Sequence, residues 1–208
     1  ERVSVFIRAA AIAGAGAVKV QVFTPSHFPK GERLAKRCNV FPRDRLGHFV
    51  RMAHLWGIKA GASVFDEHAV DVCHDAGCDF LKIASRESYN MPLVYLALDT
   101  GLPVYTSFPW GVNGPAWTRE IAAGETPLAC IASYPTAKWG DIEQTTRWLG
   151  KSWGWSSHTS HYQDVLQAVR AGATIVEKHL ALSRDDPEAE WSLLPEQLRE
   201  MVNDIKGV

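Results

Sequence analysis

Charge of one sign, cysteine and long hydrophobic runs are all scarce in this sequence. Its 22 basic and 23 acidic residues leave a formal net charge of −1, which gives no electrostatic basis for binding nucleic acid or an anionic membrane surface. An anionic ligand would have to be held by local groups. The four cysteines (Cys38, Cys73, Cys78 and Cys130) have neither C-x-x-C spacing nor the density of a disulfide scaffold, so we expect reduced thiols of an intracellular protein.

Membrane and export signals are also missing. No apolar run approaches the roughly 20 residues of a membrane span, and no signal peptide opens the chain, so we expect a cytoplasmic protein with no membrane partner. The length of 208 residues, 46% of them hydrophobic, suffices for one domain with a substantial core. The chain begins at Glu1 and enters directly into a predicted helix, from which we expect that an upstream segment is absent.

What the sequence does contain is a repeated alternation of strand and helix patterns. Most of its short apolar runs begin about 20 to 25 residues apart, the spacing of a strand, a helix and two loops. This alternation predicts a parallel sheet covered by helices, either doubly wound or closed into a barrel. The predicted strands are AVKVQVF (17–23), IKAGASVF (58–65), DFLKIAS (79–85), LPVYTSF (102–108), PLACIAS (127–133), WGWSSHT (153–159) and ATIVEKHL (173–180).

The faces of these strands discriminate between the two arrangements. Successive strand residues point to opposite sides, so Lys19 shares a face with Gln21, and Glu177 shares one with His179. In a doubly wound sheet both faces lie under helices, where uncompensated polar groups would each cost on the order of several kcal/mol. A barrel can gather them inside, near the strand ends that carry the active site of this fold. We therefore predict an α/β fold of the TIM (β/α)8-barrel type, with Lys178 pointing outward or snorkelling.

The motifs along the chain resemble those of the sialic acid synthase family, enzymes that condense phosphoenolpyruvate with N-acetylmannosamine or a related sugar on a TIM barrel. By this resemblance, residues 1–208 form a single barrel domain that lacks the family's first strand and its C-terminal antifreeze-like domain. The resemblance also implies that the protein forms homodimers. The resemblance spans about residues 7 to 205 and is carried by AGAGAVKVQVF (13–23), ASVFD (62–66), FLKIASRESYNMPL (80–93), GLPVYTS (101–107), CIASYP (130–135), GWSSHT (154–159), GATIVEKHLAL (172–182) and PEAEWSLLPEQLREMV (187–202).

Binding of phosphoenolpyruvate needs local cations and hydroxyl donors, because this substrate carries about three negative charges and the chain has no net positive charge. Lys19 and Lys82, on predicted inner faces of two strands, are the natural cations, and Lys19 is counted among the catalytic candidates. The alternative is that both lysines only pair with internal carboxylates such as Glu177. The resemblance implies that the carboxylate and phosphate are held by Lys82, Ser63, Ser85, Ser156 and Thr106.

Two histidines form a candidate metal site. His158 and His179 have the same inward parity at the ends of neighbouring predicted strands, which places two imidazoles near one point. Neutral imidazole is a good ligand for divalent transition metals, and an open site suits a carbonyl substrate. The resemblance implies a manganese-type ion, with Mg2+ or Co2+ as alternatives, that polarises the aldehyde of the sugar. The other interpretation is a pair of hydrogen-bonded core histidines.

The reaction implied by the resemblance joins C3 of phosphoenolpyruvate to the aldehyde, after which water adds at C2 and phosphate leaves by C–O cleavage. Glu87 and Glu177 are candidates for organising water or moving protons, or else they only neutralise nearby lysines. The positions matching those that contact the acceptor, an N-acylhexosamine or related aldose, are Gln21, Tyr134 and Glu188.

Departures from the family's pattern leave other functions open. TSFPW (106–110) replaces a glycine-containing anion turn with bulky residues, and Ser157 replaces an acidic residue before the metal-binding histidine. A degenerate barrel that serves as a binding protein is therefore one alternative. A metal-dependent aldolase that does not use phosphoenolpyruvate is another.

The remaining histidines are expected to have no such role. A solvated surface is predicted for most of them, whereas His161 could border the mouth of the barrel. Trp110, after the predicted end of its strand, could form the floor of a pocket, and the basic run Lys30–Arg37 is predicted to be a solvated loop. The histidines predicted to be solvated are His27, His48, His54, His68 and His74.

Overall fold

The computed structural model describes residues 2–27, 40–111, 114–115, 119–140, 142–144, 148–149 and 152–208. The chain divides into two compact units, Glu1–Val104 and Tyr105–Val208, and each is an alternation of strands and helices. The basic run 30–37 and Cys38 lie outside the described residues. That residues 1–208 act as one domain stays a prediction.

The first unit contains three parallel strands in the order β1-β2-β3, with a helix before each strand and another after β3. Short 3-10 turns follow β1 (Pro25–His27) and β3 (Ser85–Glu87). The helices and strands are α1 (Arg2–Ala13), β1 (Ala17–Val22), α2 (Leu46–Leu55), β2 (Lys59–Val64), α3 (Glu67–Asp75), β3 (Phe80–Ile83) and α4 (Met91–Asp99).

Glycine permits a close approach at the centre of this sheet. Gly61 of β2 lies between Lys19 of β1 and Phe80 of β3 in one cross-strand row. A Cβ atom at Gly61 would lie 2.4 Å from the Phe80 ring, so any larger residue would displace that ring. The Phe80 ring thus lies over Gly61, and the next row on the same face, two residues further along each strand, carries Gln21, Ser63 and Lys82.

The helix ends follow the signals in the sequence. Gly77, Gly101 and Gly172, predicted as helix ends, have φ angles of 77°, 73° and 100°, a left-handed conformation that glycine adopts without steric cost. At the other end, Asp66 caps α3 by accepting a hydrogen bond from the Ala69 N–H at 2.7 Å. Asn90 caps α4 through Leu93 in the same way.

The second unit contains strands that are hydrogen-bonded in the order β4-β6-β7-β8-β9, with β5 paired antiparallel to β4. The pairs β6–β7, β7–β8 and β8–β9 are parallel. The elements are β4 (Val104–Gly111), β5 (Gly114–Pro115), β6 (Glu125–Cys130), β7 (Gly154–Ser157), α5 (Gln163–Arg170), β8 (Ile175–Leu180), β9 (Ser192–Leu193) and α6 (Pro195–Lys206).

All seven strands predicted from the sequence are present, and the main correction concerns β4. We expected this strand to end at Phe108, but it continues through TSFPW to Gly111. The cause is β5, a two-residue strand that the sequence did not indicate and that pairs with Trp110 and Gly111. Trp110 is therefore a buried strand residue, 3% exposed, and does not follow the strand as predicted. The other strand missed is β9, which pairs with the end of β8.

The described cysteines Cys73, Cys78 and Cys130 are buried thiols, as expected. Among the residues that the structure describes, no helix is both long and apolar enough to cross a membrane.

Candidate functional site

The first unit places a row of polar side chains across its three strands. The register aligns Gln21 with Ser63 and Ser63 with Lys82, so these three residues share one face of the sheet. Lys19, one row earlier on the same face, donates a hydrogen bond from Nζ to Ser63 Oγ at 2.8 Å. We call Lys19, Gln21, Ser63 and Lys82 the lysine cluster.

Burial distinguishes Lys82 from an ordinary lysine. It is only 3% exposed, and its Nζ donates to the carbonyl oxygen of Ile83 at 2.9 Å. Ser63 is equally buried. An ammonium group with little water must be compensated by acceptors or by an anion. The lysine cluster therefore has the cations and hydroxyl donors that an anionic substrate requires, and the alternative pairing with Glu177 stays a hypothesis.

Ser85 and Glu87 follow directly after β3, in a 3-10 turn where the carboxyl end of the strand opens. The Ser85 carbonyl accepts a hydrogen bond from Ser88 Oγ at 2.8 Å, which fixes the turn. Glu87 accepts from Asn90 Nδ2 at 3.2 Å, and its other carboxylate oxygen lies 3.6 Å from Arg86 Nε. The Glu87 carboxylate is thus held by neutral and cationic neighbours at the end of the strand where a barrel carries its active site.

His27 also belongs to this end of the first unit, although we expected it to be solvated. Its Nδ1 accepts a hydrogen bond from the Thr24 N–H at 3.0 Å, and its Nε2 lies 3.1 Å from Asp66 Oδ2. Arg43 contacts the same carboxylate oxygen at 2.5 Å. Burial acts to raise the pKa of Asp66, but the hydrogen bonds from Arg43 and Ala69 outweigh it and hold this pKa below its ordinary value.

The prediction for the other histidines of the first unit is confirmed, because their residues are exposed. The Nε2 atom of His54 lies 2.8 Å from Asp79 Oδ2, and about half of the His54 side chain is exposed. These exposed residues are His48, His54, His68 and His74. The partners of His27 lie 3 and 39 residues away along the chain, and only the fold brings both to one ring.

The second unit brings the two predicted metal ligands together. The ring centroids of His158, just after β7, and His179, on β8, are 5.5 Å apart. His158 Nδ1 lies 3.1 Å from the Ile131 carbonyl oxygen, and His179 Nδ1 lies 2.7 Å from Glu188 Oε2. Because both oxygens can only accept, each Nδ1 donates, and the lone pair of each neutral imidazole is at Nε2.

The separation of the two rings is compatible with a shared metal ion. Two imidazoles that bind one ion through Nε2 at ~2.1 Å, in a tetrahedral arrangement, have ring centroids roughly 5 Å apart. The contact between His179 and Glu188 is the carboxylate–histidine arrangement that orients metal ligands in many proteins. Over the described ranges, no group of three or more His, Cys, Asp or Glu side chains is placed to hold a metal ion. An ion held by His158 and His179 would therefore need water or substrate oxygens as further ligands.

Aromatic rings surround the two imidazoles. The Tyr134 ring lies 4.2 Å from that of His158 and 5.7 Å from that of Trp191, centroid to centroid. The centroids of Trp191 and His179 are 6.4 Å apart. We call Tyr134, His158, His179, Glu188 and Trp191 the histidine cluster. Tyr134 is 39% exposed, and the carboxylate of Glu188 accepts a hydrogen bond from His179.

Ser156 and Glu177 lie next to this cluster. The register aligns Ser156 of β7 with Glu177 of β8, and His179 follows two residues later on the same face. Ser156 is 2% exposed, whereas Glu177 is half-buried. The predicted parity of these strands is confirmed, and the roles of both side chains stay predictions.

Thr106 has a partner that we did not foresee. Its Oγ1 donates a hydrogen bond at 2.7 Å to Glu125 Oε1, at the start of β6. Arg119 binds the same carboxylate through both terminal nitrogens, at 2.7 and 2.8 Å, and its guanidinium lies 4.6 Å from the Phe108 ring centroid. The binding of an anionic ligand by Thr106 stays a prediction, since the structure places its hydroxyl on a carboxylate.

The Glu125 carboxylate is fully buried but stays charged. Burial alone would raise the pKa of Glu125, but hydrogen bonds from Arg119, Thr106 and the Ala122 N–H hold it below its ordinary value of 4.5. Glu125 lies two residues before the predicted strand 127–133, so the sequence did not single it out. The arginine six residues earlier gave no signal either.

Lys178 lies on the opposite face of β8 from Glu177 and His179, as predicted, but it does not snorkel. Its Nζ donates to Ser157 Oγ at 3.1 Å, to Trp191 O at 3.4 Å and to both oxygens of Thr159. Burial lowers the pKa of Lys178 to about 8, although the charge of Asp164 acts in the opposite direction. The acceptors lie 13 to 21 residues from Lys178 in sequence, so strand parity alone could not reveal them.

The tautomers of the two imidazoles are open to direct measurement. We expect neutral His158 and His179 to carry the proton on Nδ1, because each Nδ1 faces an oxygen that can only accept. Long-range proton–nitrogen correlation spectra of protein labelled with 15N-histidine distinguish the two tautomers. The exposed His68, on α3, serves as the control and should show the Nε2–H form that predominates in water. An Nε2–H signal from either His158 or His179 would contradict the assigned hydrogen bonds.

Comparison with known proteins identifies the class and then the family. The structure is similar to the crystal structure of N-acetylneuraminic acid (sialic acid) synthetase from Leptospira borgpetersenii serovar Hardjo-bovis in complex with citrate. The TM-score is 0.86 and the sequence identity is 23%, and the match covers 99% of this chain and 77% of that chain. The fold is therefore α/β of the TIM-barrel type, as predicted. The sequence profile of the NeuB family matches residues 6–208, and the chain belongs to this family.

Curated relatives agree with this assignment. The chain is 28% identical to the spore coat polysaccharide biosynthesis protein SpsE of Bacillus subtilis, over 70% of this chain and 43% of the relative. It is 26% identical to human N-acetylneuraminate-9-phosphate synthase, over 83% of this chain and 52% of the relative. The chain spans about half the length of the curated relatives it matches.

Proposed function

We propose that this chain carries the barrel of a phosphoenolpyruvate-dependent synthase, an enzyme of the transferase class. It would join phosphoenolpyruvate to the aldehyde of an N-acylhexosamine or related aldose and form a 3-deoxy-2-keto sugar acid of the nonulosonic type. The observation that carries the proposal is the histidine pair, whose Nδ1 atoms are fixed by Ile131 and Glu188. Membership of the NeuB family supports it, and we extend the relatives' synthase activity to this chain on that basis.

His158 and His179 would hold a divalent ion, of which Mn2+ is our first choice and Mg2+ and Co2+ are alternatives. When bound, such an ion supplies Lewis-acid polarisation of an aldehyde oxygen. Glu188 keeps the His179 ring in the orientation and tautomer that a ligand needs, by accepting the Nδ1 proton. Tyr134, against the His158 ring, and Gln21, in the row with Ser63, are proposed to contact the acceptor sugar.

The lysine cluster is proposed to bind phosphoenolpyruvate. Lys19 and Lys82 supply positive charge, and Ser63 already accepts a hydrogen bond from Lys19, which leaves its own hydroxyl proton to donate to an anion. The register that places Ser63 beside Lys82 puts this donor next to the second cation. Further hydroxyl donors to the carboxylate and phosphate are proposed to be Ser85, Ser156 and Thr106.

Carbon–carbon bond formation would proceed from C3 of phosphoenolpyruvate to the aldehyde carbon. Water then adds to C2, and phosphate leaves as the C–O bond to C2 breaks, so one water is consumed for each phosphate released. Glu87 and Glu177 are proposed to orient this water or to take up its proton, since both are carboxylates at or near the carboxyl ends of strands. The chain is proposed to act as a cytoplasmic homodimer.

Phosphate release from phosphoenolpyruvate tests the proposal. Purified protein with Mn2+ is assayed against N-acetylmannosamine, its 6-phosphate and simple aldoses, and we expect release that requires one of these acceptors. His179→Ala should lower the rate by at least about 100-fold, since a metal ligand is lost. His68→Ala, which changes an exposed histidine of α3, is the matched control and should keep the parent rate. Folded protein that releases no phosphate with any acceptor would overturn the synthase and favour a binding protein.

A further inference from the structure

A buried network of polar groups lies on the face of β8 opposite to His179. At its centre is the Lys178 ammonium group, which donates to Ser157 Oγ, to the carbonyl oxygen and hydroxyl of Thr159, and to the carbonyl oxygen of Trp191. Ser157 and Thr159 are 1% and 0% exposed, so their oxygens have little contact with water. Removing an ammonium group from water costs free energy unless acceptors bind its hydrogens. The hydrogen bonds of this network therefore stabilise one another.

These acceptors belong to the two segments that carry the histidine cluster. Ser157 and Thr159 are the direct neighbours of His158 in the chain. Trp191 contacts the His179 ring and follows Glu188, the partner of His179, by three residues. Lys178 itself precedes His179. One ammonium group therefore ties the segment of each imidazole to the segment of the other.

A second layer of contacts fixes the acceptors. Asp164, 1% exposed at the start of α5, accepts a hydrogen bond from Trp155 Nε1 at 2.8 Å. Its Oδ1 lies 3.0 Å from Thr159 Oγ1, whose single proton is shared between Asp164 and the His161 carbonyl oxygen at 2.6 Å. The negative charge of Asp164 acts on Lys178, which makes the ammonium form more favourable. The charge of Lys178 is thus balanced by Asp164, and the hydroxyl of Thr159 lies between the two.

We propose that Lys178 is a positioning residue whose ammonium group sets the separation and orientation of the His158 and His179 rings, and thereby the affinity of the pair for a divalent cation. This inference rests on the metal site of the proposed function. Its physical basis is that a ligand pair binds an ion well only if both nitrogens are held near the required distance before the ion arrives. The three N–H donors of an ammonium suit acceptors in several directions, unlike the planar fork of arginine.

The test is direct titration of metal-free protein with Mn2+, in which unbound Mn2+ is measured by electron paramagnetic resonance. We expect Lys178→Met to raise the Kd about 10- to 100-fold, the usual effect of removing a group that orients metal ligands. Lys178→Arg keeps the charge and should recover part of the affinity. The visible spectrum of bound Co2+, which reports coordination geometry, should change in Lys178→Met.

A matched control separates positioning from general stability. Leu198→Ala removes a buried side chain of α6 and should lower the melting temperature without changing the Kd for Mn2+ or the Co2+ spectrum. If Lys178→Met does not fold, Thr159→Val replaces it, since this change removes the hydroxyl between Lys178 and Asp164 and should weaken Mn2+ binding in the same direction.

The possible results distinguish the two proposals. A parent protein that binds Mn2+ and a folded Lys178→Met or Thr159→Val variant with unchanged affinity would overturn the role of Lys178 and leave the metal site standing. A parent protein that binds neither Mn2+ nor Co2+ would overturn the metal site and the role of Lys178 together. Weaker binding in the variants, with the parent affinity kept in Leu198→Ala, supports the positioning role.

Discussion

Replacing Lys82 with alanine is expected to abolish the thermal stabilisation of this protein by phosphoenolpyruvate. Lys82 is 3% exposed and is the cross-strand neighbour of Ser63. Ser63 in turn accepts a hydrogen bond from the ammonium group of Lys19. A hydrogen bond to a charged partner is worth about 1.5–3 kcal/mol, so its loss should weaken binding roughly 10- to 150-fold. At a ligand concentration that stabilises the parent by about 1 kcal/mol, such a change removes roughly four fifths or more of the shift in melting temperature.

The control for this experiment is a lysine at the other end of the same sheet. Lys59, exposed at the start of β2, should tolerate replacement by alanine with the full phosphoenolpyruvate shift retained. Circular dichroism establishes that Lys82→Ala is folded. A folded Lys82→Ala variant that is stabilised by phosphoenolpyruvate as strongly as the parent would show that the lysine cluster is not the binding site.

Arg119→Ala is expected to cause the largest loss of stability among the substitutions considered. The change leaves the fully buried Glu125 without its two hydrogen bonds from the guanidinium. Removing one partner of a buried ion pair costs about 3–5 kcal/mol, which lowers the melting temperature of a protein of this size by roughly 10 °C. Differential scanning calorimetry at pH 7 measures the change. Arg45→Ala, which removes a largely exposed and distant partner of Asp44, should have little effect.

The pH dependence identifies the cause of this loss. The pKa of Glu125 in the folded parent lies below its ordinary value of 4.5, so its stabilising contribution is present above that pH and is lost as the pH falls through the folded pKa. The stability difference between parent and Arg119→Ala should therefore shrink below about pH 4.5. Replacing the pair together, as Arg119→Met with Glu125→Leu, should recover more than half of the lost stability. A difference that stays constant with pH would contradict the ion-pair explanation.

The strands could be predicted because their signal is local. Buried parallel strands appear as short apolar runs, and the alternation of faces along β1 and β8 depends only on the extended backbone. The shared face of Lys19 and Gln21, and that of Glu177 and His179, followed from this alternation. The pairing of His158 with His179 needed one further step, the expectation that these strands are neighbours, and the register of β7 with β8 confirms it.

Contacts between distant residues could not be predicted in this way. Neither the pairing of β5 with β4 nor the Arg119–Glu125 ion pair has a periodic signal, so we expected β4 to end at Phe108 and did not consider Glu125. His27 was assigned to solvent because it lies outside the predicted strands, and its partner Asp66, 39 residues away, gave no local signal. In each case the free energy comes from a hydrogen bond or ion pair between groups that only the folded backbone brings together.

By itself, the sequence determined the alternation of strands and helices, the faces of the strands and the candidate histidines and lysines, because apolar periodicity and the family's motifs are properties of consecutive residues. The tertiary structure alone decided which atom of each imidazole faces an acceptor, and that the ammonium of Lys178 donates to Ser157, Thr159 and Trp191. The physical reason is that hydrogen-bond direction and desolvation depend on the positions of atoms from segments distant in sequence, which no single stretch of sequence specifies.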